Sequence, residues 1–70
     1  MKKLNKQQAE ILLDHAKWIR ACNKGMRLGQ AITKLLQLSY PATYKEIKGT
    51  DNDPFYSDEL IEKCLTKITI

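Results

Sequence analysis

The segment Gly49–Glu59 reads GTDNDPFYSDE and combines turn-forming residues, one proline, two adjacent aromatic side chains and a helix-start signal. Phe55 is the only Phe of the chain and stands beside Tyr56, directly after Pro54. Because proline interrupts a helix, an irregular connection is expected at this point. The two aromatic rings either pin this connection to the core or form an exposed recognition loop, and the sequence leaves both interpretations open.

Upstream of this segment, the pattern Asn5-x-x-Gln8 predicts a capping box and the start of a first helix. Gly25 can adopt the left-handed conformation that ends helices, so this helix is expected to run for about 18–20 residues. A broad apolar face with helical spacing follows the cap, wide enough to touch more than one neighbour. It is formed by Ile11, Leu12, His15, Ala16, Trp18, Ile19 and Cys22.

A second helix is predicted from Arg27 to Leu38, with a glycine, Gly29, in its first turn that allows close approach of another backbone segment. The side chains predicted to be buried on it are Leu28, Ala31, Ile32, Leu35 and Leu36. Pro41 can open a short helix that ends near Lys48, with Tyr44 and Ile47 facing inward.

Ser57 is the expected cap of the last helix, and Asp58 and Glu59 suit the positive end of its dipole. The apolar side chains of this helix are Leu60, Ile61, Cys64, Leu65 and Ile68. Together these patterns predict an all-α fold. We expect a small single-domain bundle over residues 1–70, made of three main helices plus one short helix.

Charge is unevenly distributed along the chain. Twelve basic and eight acidic residues give a net charge of +4, but residues 1–30 alone carry a net +5 and residues 31–70 a net −1. The candidate basic surface consists of Lys17, Arg20, Lys24 and Arg27. Such asymmetry is typical of a surface for nucleic acid or an acidic partner, although a solvated helix face is the commoner explanation.

The residues Met1–Lys3 resemble the start of a signal peptide, but no apolar region follows them. No apolar run approaches the length of a membrane span, so we expect a cytoplasmic protein without membrane contact. Cys22 and Cys64 are then expected to be reduced core residues, and a disulfide between them is the alternative.

The chain has few residues for catalysis or metal binding. His15 and Cys22 lie seven residues apart, about 10 Å along a helix, which exceeds hydrogen-bond reach. Cys64 could still approach His15 across the core. A calcium loop starting at Asp51 lacks the fifth-position oxygen ligand and the glycine that follows it. We therefore expect no enzymatic activity, no metal and no cofactor.

A nucleic-acid interface is the first functional alternative. Helices 27–38 and 42–48 loosely imitate a helix-turn-helix, with Thr43, Lys45 and Lys48 on the possible recognition helix. The acidic stretch that follows would repel a phosphate backbone.

A protein-binding surface is the second alternative, because a basic helix and an acidic loop with aromatic residues suit a charged partner. The candidate interaction residues are Asp51, Asp53, Phe55, Tyr56, Asp58 and Glu59.

A further pattern is distributed over three parts of the chain: Arg27-x-Gly29-Gln30, then Pro41, then Gly49-Thr50-x-x-Asp53-Pro54-Phe55-Tyr56-x-Asp58. In this pattern the chain resembles a group of short phage and prophage proteins without an assigned activity. The resemblance covers roughly the last two-thirds of the chain, and it assigns no catalytic or ligand-binding residue. What it implies is a phage accessory protein.

The leading hypothesis is a non-enzymatic interaction protein, a phage accessory factor that binds and modulates a bacterial host protein. A small basic DNA-binding regulator is one alternative. The other is a structural subunit that self-associates through an exposed part of the first helix.

Overall fold

A computed structural model describes residues 3–70; Met1 and Lys2, the first basic residue counted above, lie outside the described residues. The helices are α1 (Lys6–Cys22), α2 (Leu28–Ser39), α3 (Pro41–Ile47) and α4 (Ile61–Ile68), and a single 3-10 turn, Asp58–Leu60, leads into α4. The described residues contain no β-strand. The prediction of an all-α bundle with three main helices and one short helix is confirmed.

Local signals in the sequence set most helix ends. The Asn5 side chain accepts a hydrogen bond from the Gln8 amide at 2.8 Å, and the Gln8 side chain accepts one from the Asn5 amide at 2.9 Å. Gly25 and Gly49 have φ angles of 84° and 76°, which confirms the left-handed conformation expected after α1 and allows the turn after α3. The Ser57 hydroxyl accepts from the Glu59 amide, so the predicted cap is present, although it caps the 3-10 turn first.

The core lies where the inner faces of the helices meet. As predicted, Tyr44 and Ile47 of α3 point inward. The buried apolar side chains are Leu4, Leu12, Ala16, Ala31, Ile32, Leu36, Tyr44, Ile47, Cys64 and Ile68. Leu28, Leu35, Ile61 and Leu65 pack against this core and are partly buried.

The two ends of the described chain pair with each other. The Leu4 amide donates to the Ile68 carbonyl at 2.7 Å, and the Ile70 amide donates to the Leu4 carbonyl at 2.9 Å. This pairing brings Leu4 into the core as a fully buried side chain. No sequence pattern predicted it, since residues 4 and 69 form only one isolated bridge.

The broad apolar face of α1 is only partly used, which corrects the sequence-based expectation. Leu12 and Ala16 are buried, but Ile11 is 52% exposed and Trp18 is 73% exposed. Cys22 is also exposed, so it is not a core residue, whereas Cys64 is buried and both thiols are free. The physical reason is that α1 packs mainly against α2, and the other helices of residues 3–70 leave its second stripe exposed.

Candidate protein-interaction site

The loop between α3 and α4 is attached to the start of α2 at Gly29. The Gly29 amide donates to Asp58 Oδ1 at 2.9 Å. A Cβ atom placed on Gly29 would lie less than 3.0 Å from the carbonyl oxygen of Pro54. The close backbone approach predicted for this glycine is therefore confirmed, and the neighbouring segment is the loop itself.

Asp53 organises the loop from inside. Only 5% of Asp53 is exposed, and its two carboxylate oxygens accept from the Gly49 amide at 2.9 Å and the Phe55 amide at 3.0 Å. Burial raises the pKa of the Tyr44 hydroxyl, and the nearby negative charge of Asp53 adds to the rise. Pro54, directly after Asp53, is fully buried. Asp53 thus holds the loop together from within, and the buried Pro54 packs it against Gly29 of α2.

Arg27, directly before α2, also supports the loop through contacts with Phe55 and Asp58. Its Nη2 donates to the Phe55 carbonyl at 2.5 Å, and its Nε lies 4.0 Å from Asp58 Oδ1. Both side chains remain almost half exposed, so the ion pair itself is worth less than about 1 kcal/mol. The hydrogen bond matters more for geometry, because it fixes the backbone of Phe55.

Phe55 and Tyr56, called the aromatic pair below, extend outward from this fixed backbone. Phe55 is 36% exposed and Tyr56 is 80% exposed. Their rings are in edge-to-face contact, with centroids 4.8 Å apart and planes at 76°. Asp53 and Pro54, rather than the two rings alone, thus hold the loop in place, while Tyr56 lies largely in solvent and Phe55 is about two-thirds covered.

Two shallow grooves flank Phe55. One has a volume of about 210 Å³ and runs towards Tyr44, Lys48 and Tyr56. The other, of about 340 Å³, is lined by Met26 and by residues of α2, among them Lys34. Phe55 consequently forms a ridge between two depressions that each contain a lysine, a shape that a complementary protein surface can enclose.

The predicted interaction residues divide into two groups. Asp51, Phe55, Tyr56 and Glu59 are exposed, whereas Asp53 is buried. Asp58 is 44% exposed at its side chain, and one of its oxygens already accepts from Gly29. The surface that remains for a partner is the aromatic pair with an acidic rim.

The predicted basic surface is less continuous than expected. Lys17, Arg20 and Lys24 are exposed on α1 and the turn after it. Arg27 is used in the contacts with Phe55 and Asp58 and so belongs to the support of the loop. The sequence treated Arg27 and the loop as separate features, although their opposite charges were the available signal that they meet.

One of the three residues that the helix-turn-helix interpretation places on a recognition helix is buried. Thr43 is 3% exposed, so its side chain cannot reach a base edge in a DNA groove. Lys45 is exposed on α3, and Lys48 is exposed directly after it.

The residues that could take part in catalysis are distributed between surface and core. His15 lines an exposed groove with Ile11 and Leu35, while Cys64 is fully buried. Burial raises the pKa of the Cys64 thiol to about 12, and the negative charge of Asp53 adds to the rise. Within residues 3–70, no group of three or more His, Cys, Asp or Glu is arranged to hold a metal ion.

The difference in burial between Cys22 and Cys64 predicts how the two thiols react. At pH 8 an alkylating reagent should modify Cys22 at once and leave Cys64 unmodified in the folded protein, because the thiolate is the nucleophile. Mass spectrometry after iodoacetamide treatment measures this, with the denatured protein as the control that takes two labels. Rapid double labelling of the folded protein would show that Cys64 is not held in the core.

None of the helices in the described part of the chain is long and apolar enough to cross a membrane. Comparison of the chain with models of protein families, with curated proteins and with solved structures found no match in any of the three. Function is therefore inferred from the geometry of the loop.

Proposed function

We propose that this chain is a non-enzymatic protein-interaction module that binds its partner through the aromatic pair of the 49–59 loop. The observation that carries the proposal is the exposure of Tyr56 on a backbone that is held on both sides. Asp53 receives the amides of Gly49 and Phe55, and Arg27 binds the Phe55 carbonyl. An exposed aromatic side chain on a fixed backbone loses little conformational entropy on binding, which favours affinity.

The charges around the aromatic pair indicate the kind of partner. Asp51 and Glu59 are exposed on the loop, and Asp58 is partly exposed. Such a rim favours a partner with an apolar pocket bordered by basic groups, because complementary charges raise the association rate and orient the encounter. The proposed partner is a bacterial host protein, and the proposed setting is the cytoplasm, as expected for the phage accessory protein that the sequence resembles.

Capture from a bacterial lysate tests the proposal. Wild type, Tyr56→Ala and Trp18→Ala are immobilised at equal density, with and without nuclease, and bound proteins are quantified by mass spectrometry. Trp18→Ala is the matched control, because it removes an aromatic side chain of similar exposure outside the loop. We expect a protein that wild type and Trp18→Ala retain after nuclease treatment and that Tyr56→Ala loses.

Two outcomes would contradict the proposal. If Tyr56→Ala retains the same proteins as wild type, the aromatic pair is not the binding site. If nucleic acid is recovered and every bound protein disappears with nuclease, the DNA-binding alternative replaces it. Once a partner is identified, Tyr56→Ala should weaken binding about tenfold or more, as expected for an exposed aromatic anchor.

The aromatic pair should contribute little to folding. Tyr56→Ala is expected to change the free energy of unfolding by less than about 0.5 kcal/mol, because the ring is mostly in solvent. Phe55→Ala should cost about 1–2 kcal/mol, since roughly two-thirds of this side chain is covered. Urea unfolding followed by circular dichroism measures both. A loss above about 3 kcal/mol for Tyr56→Ala would show that its ring belongs to the core.

A further inference from the structure

The exposed side of α1 carries a second apolar surface, separate from the loop. We define the α1 stripe as Gln8, Ile11, His15, Trp18 and Cys22, all of which are exposed. The stripe lies roughly 100° around the helix axis from the buried residues Leu12 and Ala16. The charged residues of α1 all fall outside it: Lys6, Glu10, Asp14, Lys17 and Arg20. An uncharged stripe on an otherwise charged helix indicates a surface that is covered by something.

The spacing of the stripe identifies the covering element as a helix. Its residues follow one another at intervals of three, four, three and four. This is the alternation of a and d positions in a heptad, which lets the side chains of a facing helix fit between those of the first.

The order of the stripe allows that helix to be α1 of a second copy. From Ile11 to Cys22 the intervals are four, three and four, which is the same sequence of intervals in either direction. We propose that two copies of the chain pair through α1 in antiparallel orientation about a two-fold axis. Ile11 then lies opposite Cys22 of the second copy, and His15 lies opposite Trp18 of the second copy.

A groove beside His15 supports this antiparallel register. It has a volume of about 200 Å³ and lies between α1 and α2, lined by Ile11, His15, Leu35 and Tyr40 among others. Trp18 of the second copy reaches this position, because it faces His15. A large exposed indole on one copy and an apolar groove on the other form the kind of pocket-and-anchor contact that dominates interfaces.

The area of the stripe predicts a weak dimer. The 17 residues of α1 span about 25 Å, and the stripe with its groove offers roughly 400 Å² on each copy. A total of about 800 Å² is below the range of about 1,200–2,000 Å² for stable interfaces. The dimer is therefore populated only at high protein concentration.

Sedimentation velocity from about 10 µM to about 1 mM tests the dimer. We expect wild type to shift from monomer to dimer over this range. Trp18→Lys should raise the dissociation constant about tenfold or more, while Tyr56→Lys, which places the same charge on an exposed aromatic position of the loop, leaves it unchanged. A wild-type monomer throughout the range, an unaffected Trp18→Lys variant, or loss of the dimer in Tyr56→Lys would overturn the proposal.

Disulfide formation tests the antiparallel register. The two Cys22 residues of the proposed dimer lie eleven residues apart along the axis, about 16 Å, which is too far for a disulfide. Oxidised glutathione should therefore leave wild type uncrosslinked, whereas Ile11→Cys forms a covalent dimer with Cys22 of the second copy. Adding Cys22→Ser to Ile11→Cys should abolish the crosslink. Efficient crosslinking of wild type, or none with Ile11→Cys, would contradict the antiparallel register.

The stripe and the loop can be tested independently. The dimer depends on Trp18 and the proposed partner binding on Tyr56, so each variant serves as the control for the other. Loss of host-protein capture with an intact dimer would leave this inference standing, and the reverse result would leave the proposed function standing.

Discussion

Replacing Gly29 with Ala is expected to destabilise the fold by about 3 kcal/mol. The new Cβ would lie within 3.0 Å of the Pro54 carbonyl oxygen and 2.9 Å from Asp58 Oδ1. The first atom belongs to the backbone of a buried residue, so the loop as a whole has to move. That movement also breaks the hydrogen bond from the Gly29 amide to Asp58.

A loss of stability in Gly29→Ala would be informative, because helix propensity alone predicts a gain. Gly29 lies inside α2, where Ala is favoured over Gly by up to about 1 kcal/mol. A Gln37→Ala substitution on the exposed face of the same helix provides the control and should change stability by less than about 0.5 kcal/mol. Thermal unfolding should show Gly29→Ala melting about 15 °C below wild type. A Gly29→Ala melting temperature equal to or above that of wild type would mean that the loop does not press against α2.

Replacing Asp53 with Asn is the second large change and should cost about 2–3 kcal/mol. Both carboxylate oxygens accept backbone amides, one from Gly49 and one from Phe55. Asn offers one oxygen, so its NH₂ group would face an N–H donor in a buried position. One donor is then left without an acceptor, which is more costly than the loss of an exposed hydrogen bond.

Asp51→Asn is the matched control for this experiment. It makes the same chemical change two residues away in the same loop, at an exposed position. Its free energy of unfolding should stay within about 0.5 kcal/mol of wild type. Equal effects of the two substitutions in urea unfolding would show that the charge of the loop, rather than the hydrogen bonds of Asp53, determines stability.

The sequence predicted the helices well because their signals are local. The capping box at Asn5, the left-handed glycine Gly25 and the apolar spacing of α2 each act within a few residues. The helix-opening Pro41 is likewise recognised from its own position, since its fixed φ suits the first helical residue.

The candidate site was predicted less completely, because its support depends on contacts between distant residues. The sequence indicated the 49–59 loop and the close approach at Gly29, but not that Pro54 is the segment that approaches. Asp53 was taken for a surface acid, since nothing local shows that Tyr44 and two amides surround it. Arg27 joins the loop across 28 positions of sequence, beyond the reach of any periodic pattern.

The first helix shows a second limit of prediction from sequence. Its apolar residues cover two adjacent stripes, and periodicity cannot tell which of them meets the core. The structure selects Leu12 and Ala16, which leaves Ile11 and Trp18 in solvent. What the sequence treated as one wide core face is therefore one packed stripe and one exposed stripe.

The central claim is that the backbone of the 49–59 loop is held as firmly as the helices while the aromatic pair faces solvent. Amide hydrogen exchange by NMR tests this most directly, because the amides of Gly29, Gly49 and Phe55 each donate to a carboxylate. We predict that these three amides exchange at rates approaching those of core α2 residues such as Leu36, since they open only when the loop detaches. Exchange of all three at the rate of an unstructured peptide, with α2 still protected, would contradict the claim.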